Sequence, residues 1–184
     1  MSATGRSSVR EPRDFYRTPT ECTEKIVEAL AQDGIKIKGR SVLDAGCGDG
    51  AIGSYLSQIG AKVHGVELCP DLASRAKMDR VNVGDFLTLP IQSDFFDLIF
   101  MNPPFRQALP FVERALELMP NHVVALLRLS FLESRARFNF WQKHPADVYV
   151  LSRRPSFTGG RTDSAAYAWF VWTRSKQGAS LRVI

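Results

Sequence analysis

The strongest constraint on the fold is an apolar run that stops at two prolines. Phe96-Asp97-Leu98-Ile99-Phe100-Met101 leads directly into Asn102-Pro103-Pro104-Phe105. Consecutive apolar residues leave no polar face, so the run predicts a strand buried on both sides, as in parallel sheets covered by helices. Neither proline can donate a ladder hydrogen bond, so the strand must end there. Asn102 precedes a proline and is pushed toward extended backbone. Its side chain is therefore presented at the carboxyl end of an inner strand, where open α/β sheets bind ligands.

The tetrapeptide offers a specific chemistry. Asn102 supplies a side-chain carbonyl and Pro103 a backbone carbonyl. Two converging acceptors suit a planar –NH2 group, which has two hydrogens to give. Phe105 adds a flat apolar face on which a planar group can stack. A conjugated amine is a poor nucleophile because its lone pair is delocalised. Holding both hydrogens favours the pyramidal nitrogen and frees that pair.

Two other turns bear on the same site. Ser41-Val42-Leu43-Asp44-Ala45 runs into Gly46-Cys47-Gly48-Asp49-Gly50, and a helix follows through Tyr55, Leu56 and Ile59. Gly48-x-Gly50-x-x-Gly53 also matches the dinucleotide fingerprint. Asp44 argues against that reading, because a carboxylate at the strand end repels a pyrophosphate. It suits a cationic ligand that carries an amino group. The next strand, Ala61 to Leu68, ends in Glu67, which can accept ribose hydroxyls under either reading. A short helix from Pro70-Asp71 and a third strand over Val81 to Val83 lead into Gly84-Asp85-Phe86.

These residues resemble the class I methyltransferases that depend on S-adenosylmethionine. Asp-x-Gly-x-Gly at Asp44 to Gly48 is similar to their cofactor motif, and Asn102-Pro103-Pro104-Phe105 to the catalytic motif of their amino-group subset. That subset methylates adenine in DNA, adenine or guanine in RNA, and glutamine in proteins. Tyr16-x-Thr18-Pro19 resembles the segment with which some adenine enzymes begin. The order of these motifs, with Asn in the last, is similar to the gamma group of DNA adenine methyltransferases. The Arg-Pro-Ser-Phe loop and the Tyr-Ala-Trp-Phe-Val-Trp strand resemble small phage or prophage enzymes.

The resemblance implies an α/β fold: a single Rossmann-like class I methyltransferase domain, with a mostly parallel seven-stranded sheet, one antiparallel strand and helices on both faces. It implies S-adenosylmethionine as cofactor, held by Tyr16, Thr18, Pro19, Asp44, Gly46, Gly48, Glu67, Leu68, Asp85, Phe86 and Asn102. Catalysis falls to Asn102, Pro103, Pro104 and Phe105. The expected reaction is methylation of the adenine amine in DNA, with RNA bases and protein glutamine as alternatives. A binding module without catalysis is the alternative of another class. A nicotinamide-dependent oxidoreductase leaves the Asn-Pro-Pro-Phe motif without a use.

Residues 1–13 read as a polar arm and 14–184 as the catalytic domain, with Thr18 as the cap of a helix that Gly34 stops. These 184 residues leave no room for a separate target-recognition domain, which predicts loose sequence recognition. The net charge of +5 is compatible with a nucleic-acid partner. Candidates for substrate contact are Arg135, Arg137 and Trp141, interleaved with aromatics, and Arg153, Arg154 and Phe157 in a late loop that also holds Arg161. Three cysteines without close pairing argue against disulfides and zinc. No run is long enough to span a membrane and no signal peptide opens the chain, so a cytoplasmic protein is expected.

Overall fold

Alternation along the inner strands builds the molecule. The computed structural model describes residues 15–157, 163–175 and 178–184. β1 (Ser41–Ala45), β2 (Lys62–Glu67), β3 (Arg80–Val83), β4 (Leu98–Met101) and β5 (His122–Arg128) run parallel. Val42, Leu98, Phe100, Val124 and Leu126 point to one face, where they meet Ile26, Leu30, Ile52 and Leu56. Those four residues belong to α1 (Thr20–Gln32) and α2 (Ala51–Gln58). Leu43, Ala45, Ile99, Met101, Val123 and Ala125 point to the other face. There they meet Phe111, Val112 and Ala115 of α4 (Ala108–Glu117) and Phe140 of α5 (Arg135–Lys143). All four residues of β4 are buried, as a strand covered on both faces must be.

The sheet is completed by β6 (Asp147–Val150), β7 (Tyr167–Thr173) and β8 (Leu181–Val183), in the order β3-β2-β1-β4-β5-β7-β6-β8. β7 runs antiparallel to both β5 and β6, and β8 pairs parallel with β6. Among the described residues there are thus eight strands rather than the expected seven. The extra one is an edge strand with exposed Leu181 and Val183, so its sequence carries no burial pattern to announce it. The indole of Trp169 on β7 donates to the Cys22 carbonyl at 2.9 Å and fastens α1 to the sheet. A short helix, α3 (Pro70–Ala73), follows β2, as the sequence predicts.

Thr18 is not a helix cap. α1 begins at Thr20 with extended Pro19 at the N-cap and no side-chain capping bond. Thr18 is instead buried, 4% exposed, with its hydroxyl accepting from Asn102. At the other end Gly34, at φ +81°, closes the helix as expected, and Ile35 N–H reaches back to the Leu30 carbonyl. Cys22, Cys47 and Cys69 are buried, and none of them is in a disulfide among the described residues. Among the described residues no helix is long and apolar enough to cross a membrane. The arm at 1–13 and Arg161 lie outside the described residues.

Candidate active site

From β1 the chain passes to β2 on one side, then crosses back to β4 on the other. Ligands bind at such a switch point, beyond the carboxyl ends of the strands. A cavity of about 720 Å³ lies there. Asp44 and Gly46 line it from β1 and its turn, Glu67 and Leu68 from the end of β2. Asp85 and Phe86 follow β3, and Asn102 and Pro104 follow β4. Tyr16 and Thr18 close it from the segment before α1. The sheet thus gathers residues from four separate stretches into one wall.

Asp44 is 1% exposed, and its Oδ2 accepts the Gly53 N–H of α2 at 2.8 Å. Its Oδ1 is buried with no hydrogen-bond partner among the described residues. Burial pushes this carboxyl up to about 7, with the Gly53 N–H pulling against the rise and the charges of Glu67 and Asp49 adding to it. A buried anionic oxygen lacking a partner is costly, so the position favours a cationic hydrogen-bond donor. Glu67, at 9% exposed, is engaged differently from the sequence expectation. Its two oxygens accept the N–H groups of Gly48 and Cys69, both at 2.8 Å, so the carboxylate fastens the glycine turn to β2. A ribose hydroxyl would share these oxygens. Asp85 turns its Oδ1 to the Leu87 N–H at 2.9 Å, and Phe86 packs on Phe111 with ring centroids 5.1 Å apart.

Gly48 does not line the cavity but is held beside it. At φ +56°, a Cβ on it would lie 2.3 Å from the Phe15 ring, so this turn requires glycine. Gly53 is tight for another reason: a Cβ there would lie 1.9 Å from Met78 Sδ and 2.9 Å from Asp44 Oδ2. Gly53→Ala should therefore cost about 1–3 kcal/mol through overpacking. A thermal melt should show the midpoint fall by several degrees, and an unchanged midpoint would mean that the contact relaxes freely.

Asn102 Nδ2 donates to the Tyr16 carbonyl at 3.1 Å and to the Thr18 hydroxyl at 2.9 Å. A backbone carbonyl can only accept, so the amide must face it with nitrogen. Both amide hydrogens are then engaged, and Oδ1 is left as an acceptor. Pro103 is buried and Pro19 caps α1; neither lines the cavity.

Phe105 stands beside the cavity rather than in its wall. Its ring lies 4.9 Å from that of Tyr16, and the Arg128 guanidinium covers it at 4.0 Å. Arg128 Nε donates to the Tyr167 hydroxyl at 3.1 Å, and that hydroxyl donates to Asp163 at 2.8 Å. Burial alone would raise the Asp163 carboxyl, but the Ala165 N–H, Tyr167 and Arg128 hold it below its ordinary value. Phe157 joins the group, with its ring 5.9 Å from Tyr16 and 5.0 Å from Tyr167. Arg128, Asp163 and Tyr167 were not singled out from the sequence. The available signal was positional: Arg128 ends β5 next to the strand that ends in Asn102.

The other substrate candidates divide. Arg137 donates to the carbonyls of Glu133 and Ser130 and covers Phe131, so it braces its own turn. Trp141 stacks on Trp172 at 6.0 Å, donates to the Phe131 carbonyl and packs on the core. Arg135, Arg153 and Arg154 are exposed. Arg153 and Arg154 share one end of the molecule with the cavity, because β6 runs in the direction of β5 and its outgoing loop leaves at the same end. Arg17 pairs with Asp49 at 2.7 Å across the cavity mouth.

A family profile described as a methyltransferase domain matches residues 43–120. An uncharacterised RNA methyltransferase of Chlamydia muridarum is 38% identical over 80 residues, which are 42% of this chain and 20% of that protein. The chain thus spans about a fifth of that relative's length. Among solved structures, a candidate RNA methyltransferase from Pyrococcus horikoshii superposes with a TM-score of 0.71 at 21% identity, covering 89% of this chain and 88% of the other. The magnesium protoporphyrin IX methyltransferase of Synechocystis, crystallised with S-adenosylmethionine, superposes with a TM-score of 0.62 at 16% identity, covering 85% and 79%.

S-adenosylmethionine fits the cavity residues. Asp44, Glu67, Asp85 and Phe86, which the resemblance gives to this cofactor, all line the one cavity, and the partnerless Asp44 oxygen would accept from its amino group. No phosphate has to be accommodated beside Asp44. Strand order, cavity position and the matched domain lead to one conclusion: the chain has the class I S-adenosylmethionine-dependent methyltransferase fold.

Proposed function

We propose that the protein transfers a methyl group from S-adenosylmethionine to the exocyclic amino group of adenine in DNA. The observation that carries this reading is the orientation of Asn102. Its hydrogens face the protein, and its oxygen is left to accept from an amine beside the cofactor cavity. The cofactor supplies an electrophilic methyl group on a positive sulfur. Asp44 balances positive charge in the cavity, and Glu67 keeps the glycine turn in place. The target base leaves its stack, as chemistry on a base requires. Asn102 Oδ1 and the Pro103 carbonyl take one amine hydrogen each, which frees the nitrogen lone pair and holds it toward the methyl group. Phe105 stacks on the base. Catalysis on this reading is positioning and electrostatics, with no strong base. Exposed Arg135, Arg153 and Arg154 meet the phosphate backbone.

RNA is the second reading, favoured by the Chlamydia relative and the Pyrococcus structure, both described as RNA methyltransferases. The test is transfer of labelled methyl groups to duplex DNA, single-stranded DNA, RNA and a protein extract in parallel, with nucleoside analysis. Methyladenine in DNA is the expected product, with methylation spread over many sequence contexts. Label in RNA or in glutamine keeps the chemistry and replaces the substrate. Cofactor binding with no label anywhere overturns the enzyme and leaves a binding module.

A further inference from the structure

We propose that Thr18 is a positioning residue for this reaction: the Tyr16 carbonyl sets the direction of the Asn102 amide, and the Thr18 hydroxyl, taking the second hydrogen, holds the amide in place so that its oxygen meets the target amine. The proposal rests on the reading of Asn102 as the amine acceptor. An amide can flip end for end at little intrinsic cost, and the two ends have opposite chemistry. A flipped Asn102 would turn its own hydrogens toward an amine that also donates, and no productive contact would form. The Tyr16 carbonyl excludes the flip because it would face another oxygen. Thr18 takes the second hydrogen, at 2.9 Å, and completes the anchorage. Thr18 is 4% exposed, so water has little access to replace it.

The anchor is itself braced by the glycine turn. Arg17, between the two partners of Asn102, is paired with Asp49 of the glycine turn at 2.7 Å. Phe15 lies so close to Gly48 that no side chain fits between them. The strap at 15–18 therefore bridges the cofactor turn and the end of β4. Asn102 and Thr18 are 84 residues apart in sequence, so the acceptor is set by a segment folded over it from far away.

Thr18→Val keeps the shape and removes the hydroxyl; Thr18→Ser keeps the hydroxyl. For the valine variant the expected result is a loss of about tenfold or more in kcat, larger than the accompanying loss of cofactor affinity, because Thr18 also lines the cavity while misplacing a reacting contact acts on the rate. The serine variant should regain most of the loss. Wild-type kcat in Thr18→Val overturns the proposal, as does a loss of kcat matched by an equal loss of cofactor affinity. A second measurement needs no turnover: the side-chain amide pair of Asn102 in a nitrogen-15 spectrum, assigned by its disappearance in Asn102→Asp. Both protons should be protected from solvent exchange in wild type, and one should lose protection in Thr18→Val. An unchanged pair in the valine variant overturns the anchorage even if every offered substrate goes unmethylated, whereas that failure alone would fall on the proposed reaction.

Discussion

Asn102→Ala should lose about a hundred- to a thousandfold in kcat, the range found when one preorganised hydrogen-bonding group is removed from a reacting centre. On the proposed reaction, the substitution deletes the acceptor for one amine hydrogen, and the nitrogen keeps its lone pair delocalised. It also deletes the two N–H donors that hold the strap through the Tyr16 carbonyl and the Thr18 hydroxyl. Those partners line the cofactor cavity, so some weakening of cofactor binding is expected as well. The strap keeps its Arg17–Asp49 pair and its Phe15–Gly48 contact, so that weakening should stay below about tenfold, one lost neutral hydrogen bond or two. Measuring kcat and cofactor Kd on the same preparation separates the two effects. Retained turnover would remove Asn102 from the mechanism. A collapse of cofactor binding equal to the loss of rate would make it a structural clamp and nothing more.

The double use of Asn102 shows what could and could not be read in the chain. The strand and its abrupt end are local properties: four apolar residues and two prolines determine them, and the structure has β4 where they predict it. The same holds for the glycine turn with Asp44, whose requirement for close approach is written in residue type. The engagement of Thr18 was not legible. A threonine before a proline and a helix reads as a cap, and only the folded chain brings Asn102 within reach across the sheet. Glu67 has the same history: its acid at a strand end was visible, its two backbone partners were not. Arg128, Asp163 and Tyr167 are joined by β5–β7 pairing, a contact between distant strands that no local pattern encodes. Edge strand β8 was invisible for the opposite reason, since two exposed apolar residues beside an arginine carry no burial period.

Asp44→Asn should bind S-adenosylmethionine about 10- to 100-fold more weakly, the worth of a charge-assisted hydrogen bond. Asparagine keeps an oxygen for the Gly53 N–H but brings no charge to the amino group. The wild-type pH dependence provides the independent check. With its carboxyl pushed up to about 7, Asp44 is protonated below that pH in the empty cavity. Binding an ammonium group needs the carboxylate, so affinity should fall as pH drops below about 7, by up to tenfold per unit for one proton. Stability of the protein without cofactor runs the other way. Unfolded Asp44 releases its proton near 3.9 and the native residue near 7, so the folded state binds the extra proton between them. The contribution is fully present at acid pH and is lost as pH rises through about 7. At pH 8 the asparagine variant should therefore melt higher than wild type in the absence of cofactor, while binding cofactor less well. Calorimetric titration across pH 5 to 8, paired with melts of both proteins, reads these opposite signs. A cofactor affinity that is flat with pH would show that Asp44 is already charged across this range in the empty cavity and that its partnerless oxygen is not the seat of the amino group; a variant that melts lower at pH 8 would show that the buried carboxylate carries no penalty there. Opposite signs in the two measurements are what a carboxylate held in reserve for a cation must produce, since the same desolvation that penalises the empty site strengthens the filled one.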